Sequence, residues 1–198
     1  MAKRVVTAGV LGGIVMFLWS SVAHTVLPLG AEGVREIPNE APVLESMRSS
    51  IGDTSGLYIF PGMGLGSDAT SQQTRAAMQQ YDQKLAANPS GLLIYHPAGA
   101  KSFTPRQLAT EFLTELLEAL LIAFLLAQTR LGTYLGRLGF VALLGVAAAI
   151  TTNLPYWNWY GFPTSYTVSY MATEFVAYLA AGAVVALFKV SSPSAAAA

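Results

Sequence analysis

Four glutamates, Glu111, Glu115, Glu118 and Glu174, stand in stretches of sequence otherwise made almost wholly of apolar and small residues. Three of them belong to one series, Gln107, Glu111, Thr114, Glu115 and Glu118, whose spacings of three, four and seven put every member on one face of a helix. Lipid cannot be what that face meets. Glu174 follows Thr173 in a second apolar stretch, Asn153 follows Thr151 and Thr152 in a third, and His24 follows Ser20 and Ser21 in the first. Carboxylates that share an enclosed site cannot all ionise cheaply, because desolvation and mutual repulsion both oppose the charged form. Either some hold protons or a cation neutralises them. No Lys or Arg lies deeper in these stretches than Arg106, so a counter-charge supplied by the chain itself is scarce. Oxygen ligands joined by one imidazole suit a divalent metal, which makes Glu115, Glu118, Glu174 and His24 the candidate ligands. The spacing matches no established ligand motif and lacks the Glu-x-x-His unit of di-iron bundles.

The elements that must carry these residues are membrane helices. Hydrophobic residues make up 53% of the 198-residue chain and charged ones only 11%, and the mean hydropathy is +0.47. The expected fold is an all-α membrane protein, a bundle of four transmembrane helices with a small α+β extracytoplasmic insertion between the first and second. Helix 1 falls within residues 1–29, its apolar part running from Val5 to Leu29 behind Lys3 and Arg4. Its Gly9 and Gly13, with Ala8 and Gly12 at the same spacing, form a smooth face for close packing. Ser21-Val22-Ala23 has the small-x-small pattern of a cleavage site, so removal of helix 1 after Ala23 is the alternative. The second membrane helix starts at Thr104 as N-cap, with Pro105 in the first turn and Gln107 at the capping-box position. Arg130 and Arg137 mark a short basic connection, a third span covers 138–154, and a fourth covers 164–190 and ends near Lys189. Between the last two, Tyr156, Trp157, Trp159 and Tyr160 are expected to form an interfacial aromatic loop. Residues 191–198 form an expected disordered cytoplasmic tail.

Residues 30–103 hold most of the charge. Helical spacing runs from Ala41 to Ile51 and from Thr70 to Ala87, while Gly56 to Pro61 and Gly91 to Pro97 read as two short strands with turn-forming ends. A module of this size buries little surface of its own. Gly62, Gly64 and Gly66 lack a phosphate-binding context and read as turn residues, and His96 as a surface or turn residue.

Basic residues flank every short segment on one side and are missing from the short loop on the other, which puts both termini in the cytoplasm. The absence of cysteine and of a glycosylation acceptor makes a bacterial cytoplasmic membrane the expected location. Cysteine-based catalysis and thiolate metal sites are excluded, and the zero formal net charge gives no field for nucleic acid. Counting about 1.5 Å per helical residue from the basic border puts Glu118 about 18 Å deep, Glu115 and Glu174 about 22 Å, Asn153 about 24 Å, and Glu111 and His24 about 28–30 Å. The polar residues thus converge on the outer half. With no nucleotide motif, no nucleophile constellation and no polar pathway through the inner half, the leading expectation is a non-catalytic accessory or assembly subunit of an envelope complex. It would meet lipid and a membrane-protein partner or a second copy of itself. The alternative is an outward-facing pocket of Glu111, Glu115, Glu118, Glu174, His24 and Asn153 that binds a divalent cation or handles protons, in an integral-membrane enzyme or ion-coupled transporter.

Overall fold

The computed structural model describes residues 2–66 and 68–190, so the expected tail at 191–198 lies outside the described residues. The chain divides into two units, one from residues 1–35 together with those from Phe103 onward, the other Glu36–Ser102.

The first unit is a bundle of α1 (Ala2–Thr25), α4 (Pro105–Ala127), α5 (Tyr134–Tyr160) and α6 (Thr164–Val185). Local chemistry sets their ends. The Thr104 hydroxyl accepts from the Gln107 backbone N–H at 3.2 Å, with Pro105 in the first turn where its missing N–H costs nothing. Thr133 caps α5 in the same way through the Gly136 N–H at 3.0 Å.

The end of α5 corrects the sequence expectation. Pro155 was expected to close the third span at 154 and open a loop, yet the helix runs through it to Tyr160. Tyr156, Trp157, Trp159 and Tyr160 therefore stand on the last turns of a helix. A proline removes one N–H and one hydrogen bond, which membrane-type helices tolerate. The stop comes instead at Gly161, whose φ of 69° is left-handed and lets its N–H fold back to the Tyr156 carbonyl.

By length and composition three helices, α1, α5 and α6, can cross a membrane. α4 is the exception, because even its last 18 residues, 110–127, contain Glu111, Glu115 and Glu118.

α1 lies between α4 and α6, and α6 packs in turn on α5, each neighbour antiparallel. Glycine makes the first contact possible. A β-carbon at Gly9 would lie 2.7 Å from Leu120 Cδ2 and 2.8 Å from its Cα, and one at Gly13 would lie 2.7 Å from Leu116 Cα. Backbone meets backbone there, and Phe17 closes edge-on against Phe112 at 5.3 Å between ring centres. Across α1 and α6, the Trp19 indole N–H donates to the Thr173 carbonyl at 2.9 Å and the Ser169 hydroxyl to the Leu29 carbonyl at 2.8 Å. α4 and α5, the ends of this row, touch only lightly. The buried apolar core, from Ala8 and Ala123 to Leu126, Val141 and Val185, fills the half of the bundle that holds the chain's basic ends.

Arg137 also departs from expectation. It belongs to the first turns of α5, not to the connection, and it is buried. Its Nε donates to the Ala186 carbonyl at 2.9 Å and its Nη1 to the Gly132 carbonyl at 2.9 Å. The guanidinium thus satisfies carbonyls that the end of α6 and the α4–α5 turn would leave unpaired.

The second unit contains α2 (Glu40–Ile51), β1 (Gly56–Phe60), α3 (Ser71–Ala87) and β2 (Gly91–Tyr95), in the expected order. The strands pair antiparallel, with Gly56 opposite Tyr95 and Phe60 opposite Gly91. Thr70 and Gln73 form a full capping box at the start of α3. None of this unit's described residues is buried, and Leu57, Ile59 and Ile94 are among its exposed apolar side chains.

Candidate functional site

A cavity of about 200 Å³ opens in the half of the bundle opposite the basic ends, and all four helices line it. α4 contributes Glu111, Thr114, Glu115 and Glu118, the stripe expected from its spacing. α1 supplies Met16, Ser20 and His24; α5 supplies Thr152 and Asn153. α6 brings Glu174 between Tyr170 and Tyr178, one helical turn to either side. Each of the six residues expected to form a pocket, Glu111, Glu115, Glu118, Glu174, His24 and Asn153, lines this one cavity.

The carboxylates differ in their surroundings. Glu174 is met by neutral donors from α5: Asn153 Nδ2 donates to its Oε2 at 3.0 Å and the Thr152 hydroxyl to its Oε1 at 3.4 Å. Asn153 is itself anchored on the Ala149 carbonyl at 3.0 Å. Glu115 is the most enclosed, with 6% of its surface exposed. Its Oε1 accepts from the Ser20 hydroxyl of α1, but its Oε2 is buried with no hydrogen-bond partner among the described residues. A buried polar atom left unpaired costs about 1–3 kcal/mol, so such an atom calls for an explanation. Glu115 is among the residues that line the cavity.

His24 stands at the far end of the lining. A β-carbon on Gly30 would come 2.1 Å from its Nδ1, so only glycine leaves room for the ring there. The imidazole faces Tyr170, with ring centres 5.9 Å apart.

Among the described residues, no three His, Asp or Glu side chains converge closely enough to hold a metal ion. Glu115, Glu118, Glu174 and His24 share the cavity without forming a coordination shell in this geometry. No Lys or Arg lines the cavity either. Its walls are rich in acceptors and short of charged donors.

The sequence reading missed Tyr170 and Tyr178. The signal was present, because Tyr166, Tyr170, Glu174 and Tyr178 recur every four residues and so share a face. The aromatics at the end of α5 are exposed and do not line the cavity. Comparison with known proteins returns no matching family model, no matching curated protein and no matching solved structure. Function must therefore be argued from this chain's own side chains.

Proposed function

We propose that this chain is a four-span membrane protein whose bundle binds a cation in an acidic pocket. The observation that carries the proposal is Glu115, a buried side chain in the lining of a cavity that three further glutamates share, whose Oε2 has no hydrogen-bond partner among the described residues. A cation entering the cavity would supply the missing partner and relieve the crowding of like charge. Binding is tested by thermal unfolding of the purified protein in a nonionic detergent, with mono- and divalent cations titrated in. A saturable rise in the midpoint is expected for wild type, and no rise for Glu115→Gln, which keeps the acceptor for Ser20 and removes the charge. A midpoint indifferent to every cation would overturn the proposal.

α4 is the fourth span in this reading. Its polarity is inverted relative to a helix in water: Leu113, Leu117, Leu121 and Phe124 face outward, from 51% to 60% exposed, while Glu115 faces the interior. That outward apolar face suits lipid, and the carboxylates escape lipid by facing the cavity. Lys3, Arg4, Arg130 and Lys189 at one end of the bundle orient that end to the cytoplasm. The pocket and residues 30–103 then belong to the outer side of a bacterial cytoplasmic membrane. A reporter fused after Val190 should behave as cytoplasmic and one inserted after Gly66 as extracytoplasmic. A carboxyl terminus reporting from outside would mean an odd number of spans.

A second reading has its own observation. The Glu36–Ser102 unit has no buried residue among those described, so its folding leaves apolar surface unused. A role as an accessory or assembly subunit, with a membrane partner completing that unit, would use it. Native mass spectrometry in mild detergent, on protein from its own host, should then find an assembly, and a strictly monomeric chain would rule against one.

A further inference from the structure

The cavity, its acceptor-rich walls and the aromatic rings in its lining carry one inference beyond the binding of a cation. We infer that the pocket takes an organic ammonium ion, not a metal ion, with Tyr170 and Tyr178 of its lining as aromatic partners. The inference rests on the cation-pocket reading above and narrows its ligand class.

Shape and size favour a molecule over a bare ion. A metal needs several oxygens within about 2.0–2.6 Å of one point, and no three acidic or histidine side chains among those described converge in that way. The acceptors instead stand apart on the walls of a cavity of about 200 Å³. A liquid water occupies about 30 Å³, so the space suits a ligand of several heavy atoms. An ammonium carries N–H donors in several directions, and the walls offer it carboxylate and hydroxyl oxygens from four helices. Glu115 Oε2, on a side chain more than nine-tenths buried, is the acceptor without a partner. No basic side chain lines the cavity to receive an anionic group, which disfavours a ligand whose ammonium is tied to a phosphate.

The rings provide the second, independent observation. From exposed Tyr156 the contacts run to Phe162 at 5.5 Å, from Phe162 to Tyr166 at 5.3 Å, and from Tyr166 to Tyr170 at 4.3 Å between ring centres. Tyr170 then meets His24 at 5.9 Å, and both line the cavity. Ring faces attract organic cations through their quadrupole and do so best where water is scarce. Tyr166 stacks on Tyr170 and closes the faces between them, so the rings offered to such an ion are those of the lining, Tyr170 and Tyr178, on either side of Glu174. Metal ions, strongly hydrated, gain little from them.

The test uses the full chain in a nonionic detergent and reads the thermal midpoint against methylammonium, tetramethylammonium, putrescine, Mg²⁺, Mn²⁺ and Zn²⁺, with phosphatidylethanolamine added in a separate arm. At least one free amine should raise the midpoint saturably. Its apparent Kd should weaken at least ten-fold in Tyr170→Leu and stay within about three-fold of wild type in Tyr170→Phe, which keeps the ring. A shift seen only with phosphatidylethanolamine would overturn the free-amine assignment, because the lining offers no basic side chain to its phosphate. If Mn²⁺ or Zn²⁺ stabilises wild type but not Glu115→Gln, and no amine acts, the ammonium inference falls while the cation pocket survives. If no cation acts at all, both fall. Elution as a single species by size exclusion for each variant separates lost binding from lost folding.

Discussion

Gly13→Val should lower the thermal midpoint of the bundle by roughly 6–12 °C, the shift expected for about 3 kcal/mol in a domain of this size. Overpacking a core costs about 1–3 kcal/mol when side chains can yield. Here the obstacle is main chain: the first added carbon would meet Leu116 Cα at 2.7 Å and the Glu115 carbonyl at 3.3 Å. α1 and α4 could accept it only by moving apart. The same movement would pull Ser20 from Glu115 and open the cavity wall, so cation binding should be lost along with stability. Gly139→Ala is the matched control, because a β-carbon there has nothing within 4 Å. It should leave the midpoint unchanged or slightly higher, alanine being the better helix former. Equal midpoints for Gly13→Val and wild type would contradict the close α1–α4 packing.

Glu115→Leu should do the opposite to stability while abolishing binding. Glu115 Oε2 is buried with no hydrogen-bond partner among the described residues. Replacing a buried polar group by an apolar one of similar volume is often neutral or stabilising, and a gain of about 1–2 kcal/mol is expected here. Ser20 loses its acceptor but sits on a helix, where a serine hydroxyl can turn back to a carbonyl of the preceding turn. The expected result is thus a ligand-free midpoint raised by roughly 2–8 °C, together with loss of the cation-dependent shift. That pairing distinguishes a binding site from a structural carboxylate, since active positions are where a protein gives up stability for function. A fall in the ligand-free midpoint would identify Glu115 as a fold-stabilising group and weaken the pocket proposal.

Much of this arrangement was legible in the sequence because it depends on periodicity and on local caps. The four-residue and three-residue spacings from Glu111 to Glu118 sufficed to place those side chains on one face, and Thr104 with Pro105 marked the start of α4. The two strands were visible from their glycine starts and β-branched or aromatic content. Counting along the helices brought residues of all four toward one end of the bundle, and they line one cavity, because antiparallel neighbours of similar length align their ends. What escaped depended on tertiary context. Pro155 reads locally as a stop, and only the surrounding helix shows that one lost hydrogen bond is affordable. Arg137 reads as a loop cation because its partners, the carbonyls of Gly132 and Ala186, are main-chain groups that no pattern of side chains announces. Tyr170 and Tyr178 were not singled out, although Glu174 between them set the face they share.

The inverted polarity of α4 also bears on how the chain could enter a bilayer. Acidic residues at the centre of a helix are penalised by about 2.5–3.5 kcal/mol each on insertion scales, so a segment carrying Glu111, Glu115 and Glu118 is a poor candidate to leave a translocation channel by itself. α1, made before it, carries the glycine face on which α4 seats and the serine that meets Glu115. In the four-span arrangement, α1 would act as an intramolecular chaperone for α4, holding a place in which the carboxylates never face hydrocarbon. The 79 residues between them, 26–104, would then be exported while α1 waits. Biogenesis and binding would draw on one property of the fold: a helix whose acidic face is acceptable only in company.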